Sequence, residues 1–179
     1  MIVPFEALDA AQREQAALIL RDALAHMSSA YATAAEARDE AARFGGGEHI
    51  AFAALDGNAV LGWVGAIKVY DHAWELHPLV VAPKRQRSGI GTALCAHLER
   101  HAAAQGVLTL YLGTDDDYGG TTLSGTDLFE DTFAKIAAAA PVKGHAFTFY
   151  EKLGWKIVGV IPDANGRGKP DIMMAKRIA

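Results

Sequence analysis

The chain lacks most of what marks secreted, membrane-spanning and nucleic-acid-binding proteins. It has one cysteine, Cys95, so no internal disulfide can form. It has no basic excess: 17 Lys and Arg stand against 21 Asp and Glu, a formal net charge of -4. Binding to a phosphate backbone needs the opposite sign, so no nucleic-acid partner is expected. No apolar run approaches the roughly 20 residues of a membrane span. Met1 to Phe5 leads at once into charged positions rather than into the apolar core of a leader peptide. These absences predict a cytoplasmic protein without membrane association.

What is present suits a single α/β domain over 1–179. The chain is 51% hydrophobic and 21% charged, ordinary values for a globular protein. Asp9 with Gln12, and Thr33 with Glu36, have the spacing of helix capping boxes. The first predicted helix places Leu18, Ile19, Leu20 and Leu24 on its apolar face, and the second ends near Phe44, at a run of three glycines. The periodicity then changes to that of strands. Strands are expected at Ile2 to Phe5, Ile50 to Leu55, Ala59 to Tyr70, Trp74 to Val81, Leu108 to Gly113, Lys156 to Ile161 and Ile172 to Lys176. Asp56-Gly57-Asn58 reads as a hairpin turn. Further helices are expected at Ile90 to Gln105, Phe133 to Ala140 and Phe147 to Leu153. The order predicts a mixed, mostly antiparallel twisted sheet with flanking helices.

The most informative segment runs from Leu79 to Gly91, where a strand Leu79-Val80-Val81 meets a basic, glycine-containing turn and a helix begins. The first N–H groups of a helix have no partners inside it and sit at the positive end of its dipole. Glycine allows a ligand close to them, which makes such a turn a phosphate cradle. Lys84, Arg85 and Arg87 add positive charge. The glycine pattern of a dinucleotide-binding turn and the Gly-Lys-Ser/Thr of a P-loop are both missing. The plain alternative is a helix entry whose glycines serve packing alone.

The turn resembles the pyrophosphate motif Q/R-x-x-G-x-G/A of the GNAT superfamily of N-acetyltransferases, with Gln86, Gly89 and Gly91 at the matching positions. Downstream, Phe149-Tyr150-Glu151-Lys152-Leu153-Gly154-Trp155 is similar to that family's F-Y-x-x-x-G-F/W segment. The resemblance spans roughly residues 50–176 and implies the GNAT fold, with acetyl-CoA as cosubstrate and no metal. It implies that Leu79, Val80, Val81, Gln86, Arg87, Ser88, Gly89, Ile90, Gly91 and Thr92 hold the coenzyme, with a strand backbone N–H polarising the thioester carbonyl. It gives Tyr150 the protonation of the departing thiolate, against the alternative of a packing aromatic. The base that deprotonates the amine stays open between Glu75, His77 and a bound water. Glu75 and His77 lie two apart on a strand and so share a face. Cys95 reads as a buried packing residue, and His97 with His101 lacks a third metal ligand.

Between Gly113 and Phe147 lie about 30 residues, a long interval for a connection. Six carboxylates (Asp115, Asp116, Asp117, Asp127, Glu130 and Asp131) occur in it before Lys135, the first cation. This inserted acidic loop, at about 114–143, is expected to meet a small cationic amine through Asp115, Asp116 and Asp117, or else to be a solvated lid. The strand Trp74-Glu75-Leu76-His77-Pro78-Leu79-Val80-Val81 and the pair Thr114-Asp115 resemble aminoglycoside 6′-N-acetyltransferases. That resemblance implies an aminoglycoside antibiotic as acceptor. A polyamine, an amino acid or another small metabolite amine remains open, as does a catalytically weak acyl-CoA-binding module. The family also implies a possible homodimer.

Overall fold

A computed structural model describes residues 1–25, 27 and 30–179. Two compact units emerge: residues 1–110 with the last two residues, and residues 111–177. Among the described residues no helix is long and apolar enough to cross a membrane.

The first unit contains β1 (Ile2–Pro4), α1 (Ala10–Ala23), α2 (Ala34–Ala42), β2 (His49–Asp56), β3 (Ala59–Ile67), β4 (Ala73–Val81) and α3 (Ile90–Ala103). Its strands run in the order β1-β2-β3-β4, each antiparallel to its neighbour. Both expected capping boxes form, Asp9 with Gln12 and Thr33 with Glu36. Asp56 pairs with Ala59, so the hairpin turn is the two residues Gly57-Asn58 rather than three. Gly57 has a φ of 57°, as a tight hairpin turn demands at its first position. The buried stripe of α1 differs from the expected one: Ala16, Ala17, Ile19 and Leu20 are buried, while Leu18 and Leu24 are half-buried. The alanines matter because Trp63 comes against the helix and its indole N–H donates to the Ala16 carbonyl at 3.0 Å. Phe5 and Phe44 pack on Trp63 with centroids 5.0 and 5.4 Å away, completing the core of this unit.

β3 ends at Ile67, three residues short of the expected Tyr70. α3 stops at Ala103, ahead of Gly106 at φ 83°. Its inner face is Leu94, Cys95, Leu98 and Ala102, so Cys95 is the packing residue it was expected to be. His97 and His101, one turn apart, hold Phe52 edge-on with centroid distances of 4.5 and 4.8 Å.

The second unit contains β5 (Thr109–Asp115, its first two residues in the other unit), α4 (Thr132–Ala137), α5 (Phe147–Lys152), β6 (Lys156–Ile161) and β7 (Asp171–Arg177). Its strand order is β5-β7-β6, with β6 and β7 antiparallel. α4 is shorter than the predicted Phe133 to Ala140 and buries none of its residues. The observed class is thus the expected one, α/β with mostly antiparallel strands and helices around them.

Candidate functional site

β4 is alternately half-exposed and buried along its whole length. Glu75, His77, Leu79 and Val81 share the half-exposed face, as the two-residue spacing predicts, and Trp74, Leu76, Pro78 and Val80 are buried. The ladder with β3 is interrupted, since Leu79 pairs with Val64 but Leu76 pairs with Ala66. His77 and Pro78 therefore face the single residue Gly65, which is a β-bulge. A side chain on Gly65 would overlap the His77 carbonyl and stand 2.6 Å from the Phe44 ring. The bulge was not legible in the sequence, although a glycine inside a strand is the signal that points to one.

His77 is held from two other elements. The Tyr31 hydroxyl lies 3.1 Å from its Nε2, and Oε1 of Glu40 lies 3.4 Å from the same nitrogen. Glu40, on α2, and Tyr31, just before it, were both missed in the sequence. Their contact with His77 spans 37 and 46 residues, and no local spacing reports it.

Beyond β4 the chain makes one 3-10 turn over Pro83–Arg85 before α3 begins. The segment Pro83 to Gly89 is exposed. Gln86 donates its side-chain amide to the Val81 carbonyl at 3.3 Å, and the Ser88 hydroxyl donates to the Arg85 carbonyl at 2.5 Å. Arg87 at φ 59° and Gly89 at φ 86° curl the backbone into the helix. A non-glycine residue in that region costs on the order of 1–3 kcal/mol, a strain that clusters at ligand-binding sites. Gly89 is the N-cap and supplies no side-chain cap, and a Cβ on it would meet nothing within 4 Å. The turn therefore presents open N–H groups, a clear approach and three cations, which fits a pyrophosphate. The exposed side chains of Gln86 and Ser88 bond back to nearby backbone carbonyls and so brace the loop.

In the second unit Tyr150 is largely buried, at 8% exposure, with its ring 5.1 Å from Phe149 and 5.5 Å from the buried Trp155. α5, which carries it, is braced at its start by His145. The Phe147 N–H donates to Nδ1 of His145, which leaves the proton on Nε2 to be donated to the Asp115 carbonyl at 3.0 Å.

The stretch 114–143 is not solvated throughout: Leu123 and Leu128 are buried within it. The Asp115-Asp116-Asp117 triplet does not face solvent as a block. Asp116 is fully buried, and its carboxylate accepts from the Gly120 N–H (2.6 Å), the Thr121 N–H (2.8 Å) and the Thr121 hydroxyl (2.7 Å). Asp117 is 8% exposed, and Asp115 is half-buried and accepts from the Asn165 side chain at 2.5 Å. The carboxylates left in solvent are Asp127, Glu130 and Asp131. Burial beside Asp116 and Asp117 pushes the Tyr118 hydroxyl above the usual phenol value. Among the described residues no group of three or more His, Cys, Asp or Glu is arranged to hold a metal ion.

Comparison with known proteins agrees with this geometry. Residues 17–120 match the model of the Acetyltransferase (GNAT) family. No curated protein matches the chain. Among solved structures, an aminoglycoside 6′-N-acetyltransferase complexed with coenzyme A is 43% identical, with a TM-score of 0.91 over 100% of this chain and 97% of that one. An aminoglycoside 6′-N-acetyltransferase from Enterococcus faecium is also 43% identical, with a TM-score of 0.89 and the same coverage. An aminoglycoside 6′-acetyltransferase type Ii is 37% identical, with a TM-score of 0.76 over 100% and 97% of the two chains.

Proposed function

The chain belongs to the GNAT acetyltransferase family, and from that premise we propose that it transfers the acetyl group of acetyl-CoA to the 6′-amino group of an aminoglycoside. The observation that carries the substrate is the 43% identity that extends over the whole chain to an enzyme of that activity. Acetyl-CoA supplies an activated acyl group and a thiolate leaving group. The open N–H groups at the start of α3, with Gly89, Ile90, Gly91 and Thr92, receive the pyrophosphate, and Arg87 adds charge to the same turn. A backbone N–H among Leu79, Val80 and Val81 stabilises the charge that develops on the carbonyl oxygen. His77 on the half-exposed face of β4 takes a proton from the substrate ammonium so that the neutral amine can attack, with Glu75 or a water as the other candidates for that role. Tyr150 returns a proton to the departing sulfur. We take 1–179 as one acetyltransferase domain working in the cytoplasm.

Thiol release from acetyl-CoA against a panel of amines tests this reading. Kanamycin-type acceptors should be acetylated, with mass spectrometry and NMR placing the new amide at the 6′ nitrogen. An aminoglycoside with a hydroxyl at that position should be inert. Turnover of a polyamine or an amino acid in place of every aminoglycoside would overturn the substrate assignment.

A further inference from the structure

Glu40 stands close to the end of α2 with 11% of its side chain exposed. Its two oxygens have different surroundings. Oε2 accepts from Nη1 of Arg43 at 2.9 Å. Oε1 is buried and, among the described residues, has no hydrogen bond; its near neighbour is Nε2 of His77 at 3.4 Å. A buried acceptor without a donor is destabilising, so the arrangement favours whatever proton satisfies it. A carboxylate only accepts, whereas the Tyr31 hydroxyl, 3.1 Å from the same nitrogen, can accept or donate. A proton on Nε2 suits both neighbours, and a lone pair there suits only Tyr31.

From this geometry we infer that Glu40 is a positioning residue for His77, holding the ring proton on Nε2 so that Nδ1 is the basic nitrogen. The inference rests on His77 being the base of the proposed reaction. In that step one proton passes from the substrate ammonium to Nδ1. The substrate becomes the neutral amine, and the imidazolium faces the Glu40 carboxylate. The scaffold supports the pairing. Phe44, two residues past the end of α2, is buried against Gly65 beneath the bulge that carries His77, so the end of α2 is docked on that bulge. Arg43, whose Nη2 also lies 3.0 Å from Nε2 of His49, keeps the carboxylate from rotating.

Glu40→Gln gives a directional test. Nη1 of Arg43 donates to the Oε2 position and an NH2 group there would face it donor to donor, which favours the amide oxygen in place of Oε2 and turns the NH2 group toward His77. Nε2 must then accept, and the ring proton moves to Nδ1. Nitrogen-15 NMR of the histidine side chains should find Nε2–H in the parent at a pH where the ring is neutral and Nδ1–H in the variant. kcat/KM should fall about 10- to 100-fold, by analogy with the loss of a partner that fixes the tautomer of a metal-bound histidine. With His77→Asn as background, the same Glu40 change should cost less than about twofold, because nothing remains to orient. Nδ1–H in the parent overturns the inference, as does an equal Glu40→Gln loss with and without His77. The NMR arm needs no substrate. A tautomer switch in a protein inert to aminoglycosides would leave Glu40 in place and reject the substrate. An active enzyme indifferent to Glu40→Gln would do the reverse.

Discussion

Gly65 lies directly beneath the carbonyl of His77, so close that any side chain there would overlap it and press on Phe44 as well. The strand irregularity that aims His77 thus depends on a residue that touches nothing with a side chain of its own. Gly65→Ala should push β3 and β4 apart and destabilise the protein by about 1–3 kcal/mol, as overpacking does. Chemical denaturation measures this, and an unchanged midpoint would show that the ladder can relax.

Gly89 has open space around it but a φ of 86°, so backbone strain and ligand crowding can be separated there. Gly89→Ala adds strain alone. Gly89→Glu adds the same strain plus a carboxylate in the path of a pyrophosphate. Acetyl-CoA should raise the Tm of the parent and, to a lesser degree, of the alanine variant, because it binds the folded state. The glutamate variant should show no shift. Equal shifts in all three would remove the turn from the coenzyme site.

Tyr150→Phe keeps the packing on Phe149 and Trp155 and removes one hydroxyl. If that hydroxyl protonates the thiolate, kcat should fall about 10²-fold while the Kd for coenzyme hardly changes. A lower Tm with unchanged kcat would make Tyr150 a packing residue.

Asp116→Asn should damage structure before it touches kinetics. The carboxylate accepts three hydrogen bonds inside the second unit, and an amide cannot replace all three. A loss of about 1–3 kcal/mol is expected from the buried donors left over. Neutralising the exposed Asp127, Glu130 and Asp131 should leave stability alone and flatten any rise of aminoglycoside KM with salt, since exposed charges are the ones salt screens. Both effects are read by thermal melts and by KM at two ionic strengths.

His97 and His101 are held below the usual imidazole value, first by burial against Phe52, then by the nearby cations Arg100 and Lys68 respectively. The unfolded chain binds protons at these rings more readily than the folded one. The stability they contribute is therefore complete above about pH 6.5 and is lost as pH falls through their lower folded values. Tm should drop on acidification below about pH 6.5, and less steeply in a variant with both residues changed to Gln.

Much of this was legible in one dimension because its physics is local. Capping boxes at Asp9 and Thr33, the hairpin glycine, and the strand, basic turn and helix around Gly89 all depend on neighbours within a few residues. So does the shared face of Glu75 and His77. The rest depended on chain segments far apart in sequence. Whether Asp115, Asp116 and Asp117 meet solvent or the Gly120-Thr121 backbone is decided by how residues 114–143 fold on themselves, and composition reports only their charge. The partnership of Glu40 and Tyr31 with His77 exists because Trp63 and Phe44 dock the helices on the strands, and burial in the core has no sequence spacing to announce it.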